Sequence, residues 1–130
     1  MLTKYKNDYE KIAMGFLSFA PDLKDIDHLR SELKLYTEDE GHALYLYREQ
    51  HNADFVGIVG VETGDDFVLV RHLSLSPNVR DQATQFAVLD DLAGLYRDKR
   101  LMGSLEYTPL ISAFLQYRKE DLHGTDTGAE

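Results

Sequence analysis

The stretch DFVLVRHLSLSPNVRDQATQFAVLDDLAGLY, residues 66–96, decides the fold of this chain. It opens with an apolar, β-branched run from Phe67 to Leu75, turns at Pro77, and continues with apolar residues at helical spacing as far as Tyr96. This pattern predicts a strand, a loop and a helix. A helix that begins directly after a strand presents unpaired backbone N–H groups and the positive end of its dipole to the loop. The stretch is therefore a candidate phosphate site.

The length and charge of the chain limit the classes of function. The 130 residues, 43% of them hydrophobic, fit one compact domain. Fourteen Lys and Arg against 23 Asp and Glu give a formal net charge of −9, which disfavours nucleic acid as a partner. The N-terminus lacks the apolar segment of a secretory signal, and no stretch approaches the ~18 apolar residues of a membrane span. We therefore expect a cytoplasmic protein with no membrane partner.

Cysteine and histidine usage restricts the chemistry further. The chain has no cysteine, which excludes disulfides, thiolate metal sites and a cysteine nucleophile. The five histidines show no metal-ligand spacing. No metal is predicted.

Two helices are predicted after a short first strand at residues 2–6. Asp8 is expected to cap the first helix, which should end before Pro21 because a residue ahead of proline avoids helical dihedrals. The second helix is predicted from Asp22 to Tyr36, with its charged residues facing water. Its predicted inward residues are Leu23, Ile26, Leu29 and Leu33.

Strands are predicted from His42 onward, where apolar residues alternate with tyrosines. The next strand is FVGIVGVE, residues 55–62, in which Gly57 and Gly60 indicate bulges or close neighbouring backbones. The turn TGDD at residues 63–66 joins this strand to the opening stretch. Two strands on either side of a tight turn make an antiparallel pair.

The C-terminal part contains one more strand and one more helix. RLMGSLE, residues 100–106, is long enough for a strand. Thr108 and Pro109 open a helix, since proline fits its first turn. The predicted inward residues of this helix are Leu110, Ile111, Phe114 and Leu115. We predict one domain over residues 1–120 and a flexible tail over residues 121–130.

The predicted element order is β-α-α-β-β-β-α-β-α, an α/β fold with a mixed, largely antiparallel sheet and helices on both faces. This order, together with SLSPNVRDQATQF at residues 74–86, resembles the GCN5-related N-acetyltransferase (GNAT) family over residues 1–118. Three further stretches resemble the small acetyltransferase-like proteins encoded in riboflavin operons. They are KYKNDYEKIAMGFLSF (4–19), FVGIVGVE (55–62) and VRHLSLSPNVRDQ (70–82).

The GNAT resemblance implies that acetyl-coenzyme A (acetyl-CoA) is the cofactor. In that family the loop between strand and helix holds the coenzyme pyrophosphate through backbone N–H groups, and the splayed strand edge pairs with the pantetheine amides. Carried onto this chain, Arg80 occupies the Arg/Gln position of the family signature, and Leu73 and Leu75 lie at the pantetheine strand. The implied loop residues are Asp81, Gln82, Ala83, Thr84 and Gln85.

The loop departs from the family signature at three positions. Ala83 stands where a glycine is expected, and a left-handed conformation there would cost roughly 1–2 kcal/mol, whereas helical dihedrals would carry no such cost. Gln85 replaces a small residue, and Asp81 can accept the N–H groups that a phosphate needs. A self-capped junction that binds no coenzyme is therefore an open alternative. Arg80 is equally well explained by a surface ion pair with Asp81 or with an acid of the helix.

The resemblance also implies a tyrosine acid on the last helix and a base near the central strands. The tyrosine position falls on Leu115, and Tyr117 lies about 200° away around the helix. The catalytic candidates are Glu62, His72 and Tyr117. Each also has a purely structural interpretation, as a solvated strand end, a histidine packed on the sheet and a surface tyrosine, respectively.

Two functions of different classes follow. The first is an acetyl-CoA-dependent N-acetyltransferase of the GNAT type, with a small-molecule or peptide amine as acceptor and a context in riboflavin biosynthesis implied by the resemblance. The alternative is a catalytically degenerate GNAT-fold module that binds or regulates a partner. A site for another small anion is a third hypothesis. The chain is predicted to lack the family's last two strands, and the open sheet edge suggests a homodimer.

Overall fold

The computed structural model describes the backbone of residues 1–129 and the side chains of residues 1–120. Its regular elements are β1 (Leu2–Lys4), α1 (Glu10–Leu17), α2 (Ile26–Glu38), β2 (His42–Tyr47), β3 (Gly57–Thr63), β4 (Phe67–Leu75), α3 (Gln82–Leu95), β5 (Arg100–Gly103) and α4 (Thr108–Ala129). The predicted element order and fold class are confirmed. The predicted tail over residues 121–130 falls where side chains lie outside the described residues, so its flexibility stays a prediction.

The five strands form one sheet in the order β1-β2-β3-β4-β5. The first three pairs are antiparallel and the β4–β5 pair is parallel. The parallel pair arises because α3 carries the chain back along the sheet before β5 begins. The predicted hairpin between β3 and β4 is confirmed, with the Gly64 N–H donating to the Phe67 carbonyl at 3.0 Å.

Each face of the sheet is covered by two helices. The α3 and α4 side buries Val88, Leu92 and Phe114 against β3 and β4. The α1 and α2 side buries another cluster, formed by Ala13, Leu17, Leu29 and Leu33 with Leu46 and Ile58 of the sheet. Burial of each large aliphatic or aromatic side chain contributes about 1.5–3 kcal/mol. Among the described helices, none is both long and apolar enough to cross a membrane.

The starts of the first two helices differ from the prediction. Asp8 lies in a 3-10 turn (Asn7–Tyr9), and α1 begins at Glu10 without a side-chain cap. Helix α2 begins at Ile26, because Asp25 caps it by accepting the His28 N–H at 3.2 Å. As predicted, α1 ends well before Pro21.

Two residues predicted to face the core are exposed. Ile26 is 49% exposed, since Leu29, Leu33 and Tyr36 form the buried stripe of α2. Leu115 is 44% exposed, whereas Phe114 is fully buried. Adjacent residues point about 100° apart on a helix, so burial of Phe114 turns Leu115 outward.

Candidate active site

Strand β4 contains a bulge at Arg71. Gly60 of β3 lies opposite His72, but the next β3 residue lies opposite Val70, which leaves Arg71 as the extra residue. The bulge indicated by Gly60 is therefore confirmed. A Cβ atom at Gly60 would lie 2.3 Å from the ring of Tyr36, so only glycine lets α2 approach the sheet this closely. Bulges redirect side chains and occur often beside active sites.

The bulge brings Arg71 and His72 to the same side of the sheet, where both contact α2. His72 Nδ1 lies 2.7 Å from the Tyr36 hydroxyl, and its Nε2 lies 3.2 Å from Asp22 Oδ2. Arg71 Nη2 donates to both oxygens of Glu32, at 2.8 and 3.1 Å. Burial raises the pKa of Tyr36 well above its usual range, so the hydroxyl keeps its proton. His72 thus lies in a polar network and not against apolar side chains alone.

Strands β4 and β5 separate after a short parallel segment. Their pairing ends at Val70 and Gly103, and the Ser104 N–H donates to the Val70 carbonyl at 2.9 Å. Farther along β4, the Leu73 N–H donates to the Tyr107 hydroxyl at 3.1 Å. Burial raises the pKa of Tyr107, which keeps this phenol protonated. Tyr107 is absent from the residues predicted above, and its place directly before the last helix is the only sequence signal for it.

Arg80 ties the loop after β4 back to the strand. Its Nε donates to the Leu75 carbonyl at 2.8 Å, and its guanidinium lies 4.6 Å from the centre of the Phe19 ring. Within residues 1–120, Arg80 makes no ion pair with Asp81 or with an acid of α3, so the ion-pair explanation is wrong. The Arg80 side chain therefore packs against the end of β4.

The first turn of α3 is only partly self-capped. Asp81 Oδ1 accepts the Thr84 N–H at 2.7 Å, and this backbone hydrogen bond lowers the pKa of Asp81. The amides of Gln82 and Ala83 have no hydrogen-bond partner among the described residues. No non-glycine residue described has a positive φ, so Ala83 carries no left-handed strain. Two amides at the helix start are thus available to an anion.

Two cavities adjoin this turn. A cavity of about 570 Å³ lies between α3 and α4, and its lining includes Gln82, Ala83, Phe86, Tyr117 and Arg118. A second cavity of about 270 Å³ lies at the separation of β4 and β5, and its lining includes Pro21, Leu73, Leu75, Arg80, Gln85 and Tyr107. Gln85 contributes to the smaller cavity and not to the larger one. The lining of the larger cavity, which includes Gln82 and Ala83, therefore does not include Gln85.

The predicted catalytic residues occupy three separate places. Glu62 Oε1 lies 3.6 Å from His42 Nε2 and 3.7 Å from Arg71 Nη1, near the end of β3. Tyr117 packs on Phe86 in the larger cavity, with ring centroids 5.0 Å apart. His72 precedes Leu73 at the separation of the two strands. No group of three described His, Cys, Asp or Glu side chains is placed to hold a metal ion.

Comparison with known proteins places the chain among the N-acetyltransferases. No protein-family model matches it. An N-acetyltransferase of Bacillus methanolicus, named as uncharacterized and as lying in the lysA 3' region, is 35% identical over 127 residues. The match covers 97% of this chain and all of that relative. The chain belongs to the GNAT family of N-acetyltransferases.

Solved structures of acetyltransferases share its fold. Aminoglycoside N-acetyltransferase AAC(6')-Iy in complex with CoA has a TM-score of 0.62 at 12% identity, over 89% of this chain and 84% of that one. A Bacteroides thetaiotaomicron protein assigned to the GNAT family has a TM-score of 0.64 at 14% identity, over 92% and 70% of the two chains. The ribosomal-protein-alanine N-acetyltransferase of Brucella melitensis has a TM-score of 0.59 at 16% identity, over 89% of each. These relatives do not confirm the resemblance to the riboflavin-operon group.

Proposed function

We propose that this GNAT protein transfers an acetyl group from acetyl-CoA to a primary amine of a small molecule or peptide. The observation that carries the proposal is the separation of β4 from β5 beside the first turn of α3. Backbone groups that can pair with an extended amide chain, and helix amides that can hold a phosphate, adjoin each other there. The name of the Bacillus methanolicus relative and the CoA complex of AAC(6')-Iy support the same cofactor class.

The nucleotide end of acetyl-CoA fits the larger cavity. Gln82 and Ala83, whose amides have no partner among the described residues, line this cavity together with Arg118. Arg118 Nε lies 3.8 Å from Asp90 Oδ1, too far for a strong hydrogen bond, so the guanidinium can turn to a phosphate. Asp81 occupies only the Thr84 amide. A diphosphate would therefore meet two N–H donors, a helix dipole and one cation.

The pantetheine arm fits the gap beside β4. The Leu73 N–H and the Leu75 carbonyl are the backbone groups concerned, and they are bonded to the side chains of Tyr107 and Arg80, respectively. An extended amide chain in the gap would replace the hydrogen bond of Arg80 to the Leu75 carbonyl, and the acetyl oxygen would replace that of Tyr107 to the Leu73 N–H. Because each such exchange trades one hydrogen bond for another, its net free energy is small. Tyr107 and Arg80 would be released toward the bound arm.

Two groups of this chain can assist acetyl transfer. Acetyl-CoA, when bound, supplies an activated thioester. Tyr107 holds a phenolic proton that burial keeps in place, and it can donate this proton to the departing thiolate. The Leu73 N–H, once released from Tyr107, is a backbone donor for the acetyl oxygen as negative charge develops on it. Positioning of the amine against the thioester contributes the larger share of the acceleration.

The remaining predictions are narrower. Of the three catalytic candidates, His72 directly precedes Leu73 of this gap, and a catalytic role for His72, Glu62 or Tyr117 stays a prediction. A link to riboflavin biosynthesis also stays a prediction that rests on resemblance. A homodimer stays a prediction too: the edge strand β5 carries Met102, which is 41% exposed, and light scattering that gives a clean monomer would contradict it.

Calorimetric titration with acetyl-CoA, free CoA and adenosine diphosphate tests the proposal. We expect saturable binding of all three, because each carries the diphosphate. Arg118→Gln should weaken binding about tenfold, whereas Arg97→Gln, the same charge change at an exposed residue at the end of α3, should not. Absence of binding at millimolar ligand would reject the proposal. Tight binding with no turnover across a panel of amines would favour the degenerate binding module.

A further inference from the structure

One exposed acidic residue near the gap beside β4 contacts a buried histidine. Asp22 lies in the 3-10 turn Pro21–Leu23, and Pro21 lines the smaller cavity together with Tyr107. Asp22 Oδ2 lies 3.2 Å from His72 Nε2. The Asp22 side chain is 60% exposed, whereas that of His72 is 5% exposed. The Asp22 carboxylate therefore faces solvent on one side, and the buried imidazole of His72 contacts it on the other.

The orientation of the imidazole proton follows from Tyr36. The Tyr36 hydroxyl keeps its proton, because burial raises its pKa, and it lies 2.7 Å from His72 Nδ1. A Tyr36 hydroxyl that donates to Nδ1 leaves a ring proton on Nε2, where it points to Asp22 Oδ2. Asp22 Oδ1 has no partner among the described residues. One carboxylate oxygen is thus fixed, and the other is available to a ligand.

Several charged side chains surround His72, and they differ in whether a cation neutralises them. The groups that face the ring are Asp22 from the turn, Glu32 and Tyr36 from α2, and Arg71 from β4. Glu32 Oε2 lies 3.7 Å from His72 Nδ1, but the Arg71 guanidinium donates to both Glu32 oxygens. Arg71 therefore neutralises Glu32. Among the described residues, Asp22 is the carboxylate facing the ring that has no Lys or Arg partner.

Resting on the proposed function, we propose that Asp22 is the catalytic carboxylate that binds the acceptor as a cationic primary amine and takes its proton. His72 and Tyr36 act as positioning residues for Asp22. Glu106 lines the smaller cavity, as does Pro21 next to Asp22, and it adds a second carboxylate that favours a cation.

These groups account for every proton and bond in the transfer of the acetyl group. The bound ammonium first loses one proton to solvent, and the nitrogen lone pair then forms a bond to the thioester carbonyl carbon. A second N–H proton passes to Asp22 Oδ1 as the C–N bond forms, when the nitrogen is most acidic. The C–S bond breaks with its electron pair on sulfur, and the thiolate takes the Tyr107 proton. Water then removes the proton from Asp22 and restores that of Tyr107, for a net release of one proton.

The binding step is tested with 1,4-diaminobutane as the cationic probe and 1,4-butanediol as its neutral match. Nuclear magnetic resonance (NMR) of the His72 ring in the full chain reports occupancy beside Asp22. We expect diaminobutane to shift these signals saturably and butanediol to leave them unchanged. Asp22→Asn should weaken diaminobutane binding at least tenfold. Asp27→Asn, an equal charge change at an exposed position of α2, should leave the affinity within twofold.

The chemical step is tested by CoA release with the same diamine. Asp22→Asn should lower kcat/KM by about 10²–10⁴-fold. Tyr36→Phe should move the acid limb of the kcat/KM pH profile with KM nearly unchanged, which a purely structural role would not do. Equal diaminobutane affinity in the Asp22→Asn and Asp27→Asn variants, or no binding by the unaltered chain, would overturn the inference. Acetyl-CoA titration of the same samples separates the two ideas, because failure there rejects the proposed function itself.

Discussion

Removal of one buried hydroxyl group, by Tyr36→Phe, measures the strength of the network that holds His72. Tyr36 and His72 are each 4% exposed, and their hydrogen bond is 2.7 Å long. Phenylalanine keeps the ring against Gly60, so no cavity of aromatic size forms. The loss is therefore that of a hydrogen bond with one buried nitrogen left unpaired, about 1–3 kcal/mol, and not the 3–5 kcal/mol of deleting an aromatic ring.

Urea unfolding at neutral pH gives this free energy directly. Tyr45→Phe is a matched control, because the Tyr45 hydroxyl is bonded at 2.6 Å to that of Tyr96, which is only partly buried and can turn to water. We expect less than about 1 kcal/mol for the control. A Tyr36→Phe loss no larger than that of Tyr45→Phe would refute the claim that His72 depends on this phenol.

Three further changes test the fold and the helix start. Gly60→Ala places a Cβ atom 2.3 Å from the Tyr36 ring, so we expect urea unfolding to show a loss of about 1–3 kcal/mol, and an unchanged midpoint would contradict the close approach. Phe114→Ala should lower the free energy of unfolding by about 3–5 kcal/mol, because the ring is fully buried. Leu115→Ala, at the half-exposed neighbour, should lower it by less than about 1 kcal/mol. Similar losses in the two variants would contradict the orientation of α4. The pKa of Asp81 is lowered by its backbone hydrogen bond, so its capping contribution is present above the unfolded-state pKa and is lost as the pH falls through the folded-state pKa. Asp81→Asn keeps a capping side chain and should flatten this acid-side fall of the urea midpoint; equal pH dependence in both proteins would contradict it.

The elements that sequence reasoning placed well are those defined by local pattern. β4, its turn and α3 were predicted to within a few residues, since strand period, proline and helical spacing follow one another without interruption. The bulge at Arg71 was likewise indicated by a local feature, the glycines of the neighbouring strand β3. Inward faces were less certain, because the choice between Phe114 and Leu115 depends on how α4 sits on the sheet and not on the sequence of α4 alone.

Residues of the site were predictable only where their contacts lie within a short stretch of the sequence. The Asp81 cap was foreseen as an alternative, and it takes one amide of the three at the helix start. Tyr107 and Asp22 were missed because each acts on β4 from far along the chain, 34 residues after Leu73 and 50 residues before His72, respectively. In the sequence, Asp22 is also indistinguishable from the other acidic residues near the second helix, and only the fold places it beside His72. Nothing in the spacing of these residues distinguishes them from other surface tyrosines and acids.

The most direct measurement of the central claim is an amide NMR titration of the ¹⁵N-labelled chain with acetyl-CoA. If the gap beside β4 and the start of α3 form one coenzyme site, the Leu73, Gln82 and Ala83 amides will shift the most, and all three will saturate at the same ligand concentration. Shifts confined to residues of β1 and β2, or no shift at millimolar acetyl-CoA, would contradict the proposed site.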